Sequence, residues 1–284
     1  MGKNVHQLVT ERIVAKIEKA IANNEPLPWQ RPFVFDADCP RNYVTQQRYH
    51  GVNCLLLERG EFLTWNQICD LQKNNPSVHL RKGSSSFPII YYNVTDKVDE
   101  TTGEVKKSAY LRYYNVFSVS DVEGIDAHAP SEFNNQIDKT AEDLVMDYLN
   151  REHITLHSHY GGQASYSPSS DAITMPLVSQ FKSPESYMST LLHEAAHSTG
   201  HEKRLNRNIK NHFGDELYSK EELVAELSAC LLMGYLGLET DFSEKNSLAY
   251  MRSWLKALKD NVSWIVTAAS QAEKATEYII GHAI

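Results

Sequence analysis

The segment Tyr187-Met-Ser-Thr-Leu-Leu-His193-Glu194-Ala-Ala-His197-Ser-Thr-Gly200 constrains the chain more than any other. Its apolar residues predict a helix opened by Ser183-Pro-Glu185. Two imidazoles four residues apart then stand on one helix face, where both can reach a single tetrahedral Zn²⁺, with Glu194 beside them. Two histidines do not complete such a site. The fold must therefore lay this helix against another element that supplies a third ligand.

The predicted helix Lys220–Leu236, stopped by Gly237, can do so. Within Glu221-Glu222-Leu-Val-Ala-Glu226 it sets Glu222 and Glu226 one turn apart on one face, so that one carboxylate can bind zinc while the other orients a histidine. His201, one turn past His197, is a weaker candidate, and the position where a metzincin would carry its third histidine is Lys203. The E-x-x-A-E string resembles the E-x-x-A-D element of gluzincin peptidases. That resemblance implies Glu222 as the ligand and Glu226 as the residue behind it. In such a site zinc activates a water, and Glu194 accepts its proton and hands it on to the departing amine. Tyr218 and His201 are conceivable oxyanion donors.

Charge divides the 284 residues into unlike halves. Residues 1–120 hold 15 Lys and Arg against 12 Asp and Glu, whereas residues 121–284 hold 13 against 24. The basic stretch also carries 14 of the 28 aromatic residues, a pairing suited to single-stranded nucleic acid, while the acidic stretch suits a cation and repels phosphate. Candidate stacking residues are Trp29, Tyr43, Tyr49, Trp65, Tyr91 and Tyr92, interleaved with Arg31, Arg41, Arg48, Arg81, Lys82 and Lys97. The bland reading is that these rings form a core and the cations a solvated surface. Cys39, Cys54, Cys69 and Cys230 stand singly, as reduced thiols do. No stretch reads as a signal peptide or membrane span, so the expected location is cytoplasmic, with no membrane partner.

The pattern along the chain predicts an α+β, two-domain protein. Domain one, residues 1–125, opens with an amphipathic helix from Val5 to about Asn23. Short helices follow at Gly51–Leu57 and Thr64–Leu71, then a hairpin of Ser86–Val94 with Ala109–Val119 around Thr101-Thr-Gly103. Residues 126–136 read as a linker. Domain two, 137–284, is mostly helical with a small sheet: a helix from about Asp138 to Asn150, strands Ile154–His157 and Ala172–Met175 separated by a turn-rich segment, then the two site helices joined by a loop from Gly200 to Ser219. Helices Ser247–Asp260 and Val262–Ile280 end it, with Trp254 and Trp264 as core anchors.

Taken in order, several strings resemble the ArdC-type antirestriction proteins of mobile elements: Leu27-Pro-Trp29-Gln-Arg-Pro32, Asn42 to Leu57, Thr64-Trp65-Asn-Gln67, Val78 to Gly83 and Tyr114 to Phe117, then Asp171 to Pro176, Tyr187 to His201, Arg204-Leu205 and Glu221 to Glu226. The resemblance implies an N-terminal domain that binds single-stranded DNA, a C-terminal zincin-like metallopeptidase domain, and protection of incoming DNA from host restriction. Host restriction or DNA-processing proteins would be the peptide substrates. The DNA-contacting set it implies is Trp29, Arg31, Asn42, Arg48, Tyr49, Asn53, Trp65, Arg81 and Lys82. The chain departs from the family pattern at Thr45-Gln46-Gln47 and at Tyr49-His50-Gly51, where one cation is missing. The alternatives are a noncatalytic DNA-coating protein braced by structural zinc, and a cytosolic metallopeptidase whose first domain recognises protein.

Overall fold

The computed structural model describes residues 4–23, 25, 27, 39–57, 59–98, 105–128, 140–207, 209, 216–238 and 254–281. Trp29 and Arg31, the Thr101-Thr-Gly103 turn and most of the expected linker lie outside them. The protein is mixed helix and sheet, as the sequence pattern predicts. It divides into two compact units: Met1–Glu11 with Cys39–Ala129, and Arg12–Asp38 with Pro130–Ile284. Helix α1, Val5–Asn23, runs through the first of these divisions. Its stripe Val9, Ile13, Ile17 and Ala20 is buried, as helical spacing requires.

The first unit is a four-stranded sheet in the order β1-β2-β5-β4, with β1 Arg41–Asn42, β2 Glu61–Thr64, β4 Phe87–Val98 and β5 Val105–Ser118. A separate pair joins β3, His79–Leu80, to β6, Val122–Glu123. The expected hairpin is β4 with β5, longer than the sequence indicates. The four short strands β1, β2, β3 and β6 have too few residues to show an alternating pattern. Helix α2, Val52–Leu56, is held to β4 by Asn53, and α3, Trp65–Asn74, opens with Thr64 and Gln67 in a reciprocal capping box. One sheet face buries Phe62 and Val116 with Leu57, the other Leu63 with Ile68, Val78, Val119 and Val122.

The second unit packs helices on a three-stranded sheet of order β7-β9-β8. Here β7 is Thr155–His159, β8 Ser165–Ser167 and β9 Ala172–Pro176. The turn-rich stretch thus contains a strand, a correction to the sequence reading: β8 reverses the chain, so β9 pairs antiparallel with it and parallel with β7. Helices α4, Ala141–Glu152, α5, Pro184–Thr199, α6, Glu216–Tyr235, and the C-terminal helix Trp264–Ile280 enclose one core. Residues 254–260 are also helical, and Trp254 and Trp264 are buried as anchors. Because α6 begins at Glu216, the loop after α5 is shorter than expected. Helix α5 contacts α4, α6, the C-terminal helix and the sheet. Ala195 of α5 and Ala229 of α6 lie in this core, where small residues let the two backbones approach.

Candidate metal centre

Ser183 caps α5 through the Ser186 N–H, with Pro184 at the first helical position. From that start, helix periodicity carries His193 and His197 onto the side that meets α6. The two rings meet edge to face with centroids 4.7 Å apart, and their Nε2 atoms are separated by 3.1 Å. Glu222 of α6 spans both: one oxygen lies 3.5 Å from His193 Nε2 and the other 3.4 Å from His197 Nε2. Among the described residues, these three form the group of ligating side chains whose donor atoms converge, all within 4.8 Å of one another.

The spacing suits a tetrahedral ion. Bonds of about 2.0–2.1 Å at tetrahedral angles set ligand atoms about 3.3 Å apart, close to the spacings seen. The electrostatics agree. Burial opposes a charge on His197, but the Glu221 and Glu222 carboxylates outweigh it and raise its pKa to about 10. His193 is raised in the same way, burial being overcome by Glu222 and Glu194. Burial likewise opposes ionisation of Glu222, yet the two imidazoles hold its carboxyl far below the usual range. A cluster that attracts positive charge so strongly fits a divalent cation. Glu194 is buried on α5 beside the two histidines.

With both Nε2 atoms facing inward, the Nδ1 atoms meet two other carboxylates. Glu226 lies 3.8 Å from His193 Nδ1, too far for a hydrogen bond. Glu221 lies 3.3 Å from His197 Nδ1 and is bound by Arg207. Glu221 and Arg207 are residues that motif reasoning passes over. Helix geometry offers one signal for Glu221, which neighbours Glu222 and is turned about 100° from it. Nothing local marks Arg207. His201 is outside the convergent group, its Nδ1 accepting the Lys203 N–H. The Tyr218 side chain is not among those described.

In the first unit the residues the sequence proposed for DNA divide by environment. Asn42 organises its own turn, accepting from Val44 and Thr45 N–H and exchanging bonds with Gln67. Asn53 is bonded to both backbone groups of Ile90, and Tyr49 packs edge-on against Phe62. These three side chains are engaged within the unit. Arg48 is half-buried in a bridge to Arg41. Trp65 is 54% exposed and meets Phe117 edge-on, Lys82 is exposed, and Arg81 is exposed beside Glu123. Among the described side chains, the exposed rings of this unit extend to the hairpin: Tyr91 at 60%, with Tyr113 and Tyr114 about half exposed. Strand register puts Tyr91, Arg112 and Tyr114 on one face and Tyr113 and Phe117 on the other.

An HExxH helix meeting a glutamate of a second helix, over a small mixed sheet, is the arrangement of a zincin-like domain, and residues 143–271 match the family described as zincin-like metallopeptidase. Residues 3–117 match the N-terminal domain of anti-restriction factor ArdC. The solved metal-free antirestriction ArdC protein from the R388 plasmid is 31% identical, with 98% of this chain and 97% of that one covered at a TM-score of 0.74. Its Mn(II)-bound structure superposes at a TM-score of 0.73 with 28% identity and the same coverage. The chain belongs to the ArdC antirestriction family. Two Escherichia coli proteins named DNA primase TraC are 31% and 32% identical over 98% of this chain, which spans only 20% and 27% of their length. Together the donor set, the zincin-like match and the Mn(II)-bound relative support a divalent metal. Among the described residues, no helix is long and apolar enough to cross a membrane.

Proposed function

We propose that this antirestriction protein binds single-stranded DNA through its first unit and hydrolyses peptide bonds at a zinc centre in its second. The observation that carries the reading is the convergence of His193, His197 and Glu222 with Glu194 adjacent. Bound there, zinc would polarise a carbonyl and activate water. His193 and His197 would hold it through Nε2, Glu222 through a carboxylate oxygen, and Glu226 would stand behind His193. Glu194 takes up a proton on the attacking side and delivers it to the departing amine. The peptide substrates of this reading are host restriction or DNA-processing proteins that act on the incoming strand.

For DNA, the reading rests on exposed flat rings and exposed cations in the same unit. Trp65, Tyr91, Tyr113 and Tyr114 are available for base stacking, with Arg81 and Lys82 exposed for phosphates. Asn42, Asn53 and Tyr49 then serve to shape the unit, while Trp29 and Arg31 stay in the proposed contact set on the sequence resemblance.

The test takes the full chain loaded with zinc, and its Glu194→Gln variant, against a casein substrate and a labelled single-stranded oligonucleotide. Metal-dependent cleavage lost in the variant, with DNA affinity kept and falling as salt rises, is the expected result. Cleavage unchanged in the variant, or oligonucleotide binding absent at low salt, overturns the corresponding half.

A further inference from the structure

The described stretch that follows α5, residues 200–207, delivers one side chain back to the site. After Gly200 the chain turns back: Leu205 N–H donates to Thr199 O at 2.9 Å, Asn206 N–H to His201 O at 3.1 Å, and Arg207 N–H to Gly200 O at 2.9 Å. Asn206 adopts left-handed φ of 49° to close the turn. The Arg207 side chain, 5% exposed, then lies along the end of α5. Its guanidinium donates to Ala196 O at 2.8 Å and Thr199 Oγ1 at 2.7 Å, and grips Glu221 through both oxygens at 3.0 and 2.7 Å. A pair that only fastened α5 to α6 would need no more. Yet the Glu221 oxygen that accepts from Nη2 also lies 3.3 Å from His197 Nδ1. A carboxylate can only accept, so Nδ1 carries a proton, and in the neutral imidazole that binds a metal Nε2 is then left with the lone pair.

We propose that Arg207 and Glu221 are a positioning pair for His197. Arg207 fixes the Glu221 carboxylate, and Glu221 fixes the imidazole in the tautomer and rotation that aim its Nε2 at the metal position. The two histidines are therefore unequally held, since Glu226 stands farther from His193. This inference rests on the metal reading and adds to it the residues that set metal affinity.

The test titrates the metal-free full chain, and its E221Q, R207K and E226Q variants, with Co²⁺, reading the visible d–d absorption, and with Zn²⁺ against a chromophoric chelator. E221Q is expected to keep the wild-type far-UV circular dichroism, lose about ten- to a hundredfold in affinity for either metal, and change the Co²⁺ band shape. R207K retains the buried charge without the two-pronged grip and is expected to lose part of that affinity; it serves as the second variant if E221Q unfolds. E226Q should lose less than E221Q. Wild-type binding with E221Q, or with R207K in its place, unchanged within twofold overturns the positioning pair and leaves the metal site standing. Failure of the wild-type chain to bind either metal overturns the metal reading and the pair with it.

Discussion

At the scale of single residues, the end of α5 shows how little room the site leaves. Gly200 has ordinary right-handed helical dihedrals, so its backbone tolerates any residue; the constraint is space. A Cβ there would meet Ile209 Cγ2 at 2.5 Å, and Arg207 Nη2 and His197 O at 3.1 Å. Gly200→Ala is therefore expected to destabilise the protein by about 1–3 kcal/mol, read in urea unfolding, through displacement of packed neighbours. A second prediction concerns Arg204, whose buried guanidinium donates to Ser198 O and pairs with Asp171, which also accepts from Tyr166. Burial opposes ionisation of Asp171, but the bonds from Arg204 and Tyr166 prevail and hold its pKa below the usual carboxylate value. A depressed folded-state pKa means stability that is present above the unfolded pKa, about 3.9, and lost as pH falls through the lower folded value. Asp171→Asn should cost about 2 kcal/mol or more at neutral pH by leaving a buried charge unpaired. The gap between variant and wild-type melting temperatures should close as pH is lowered from about 4. The HExxH histidines were legible because helix periodicity puts them on one face of α5, whereas Glu222, on α6, was singled out from Glu226 only by the resemblance of its string to the gluzincin element. Arg207 was not, because a loop whose path depends on long-range bonds has no period to read, and Glu221, although on α6, gains its role only from the approach of His197 and Arg207.

Among the elements, the β4–β5 hairpin shows what alternation reveals and what it hides. The hairpin was legible from its long aromatic and β-branched runs, and α3 from its Thr64 cap. The strands β1, β2, β3 and β6 were not, being two to four residues long and defined only by their partners. Strand β4 lies at the edge of its sheet, and Asn53 of α2 engages both the N–H and the C=O of Ile90, at 2.8 and 3.0 Å. The side chain thus occupies an edge position that would otherwise be open to another strand. Asn53→Ala is expected to lose about 1–3 kcal/mol in urea unfolding and to increase concentration-dependent association in sedimentation velocity, because an unprotected edge pairs readily. Unaltered stability would mean that the bonds add nothing to holding α2 in place.

For the molecule as a whole, the chemistry divides between an aromatic first unit of balanced charge and an acidic second one that carries the cluster of metal-ligating side chains. If Trp65 and Tyr91 stack on bases, Trp65→Ala and Tyr91→Ala should each weaken oligonucleotide binding by about 1 kcal/mol or more in fluorescence anisotropy. Neither change should alter zinc affinity; a loss of zinc in either variant would point to global damage instead. The sequence by itself determined the mixed architecture, the major helices, the HExxH donors and the order of the two kinds of unit, because helical and strand periodicities and family strings are local properties of the chain. Only the tertiary structure decided which carboxylate meets which imidazole nitrogen, that Glu221 and Arg207 stand behind His197, and that Asn42, Asn53 and Tyr49 are engaged internally while Tyr113 and Tyr114 are exposed. The physical reason is that burial and pairing depend on residues brought together from distant parts of the chain, and a neighbour far away in sequence leaves no mark on local spacing.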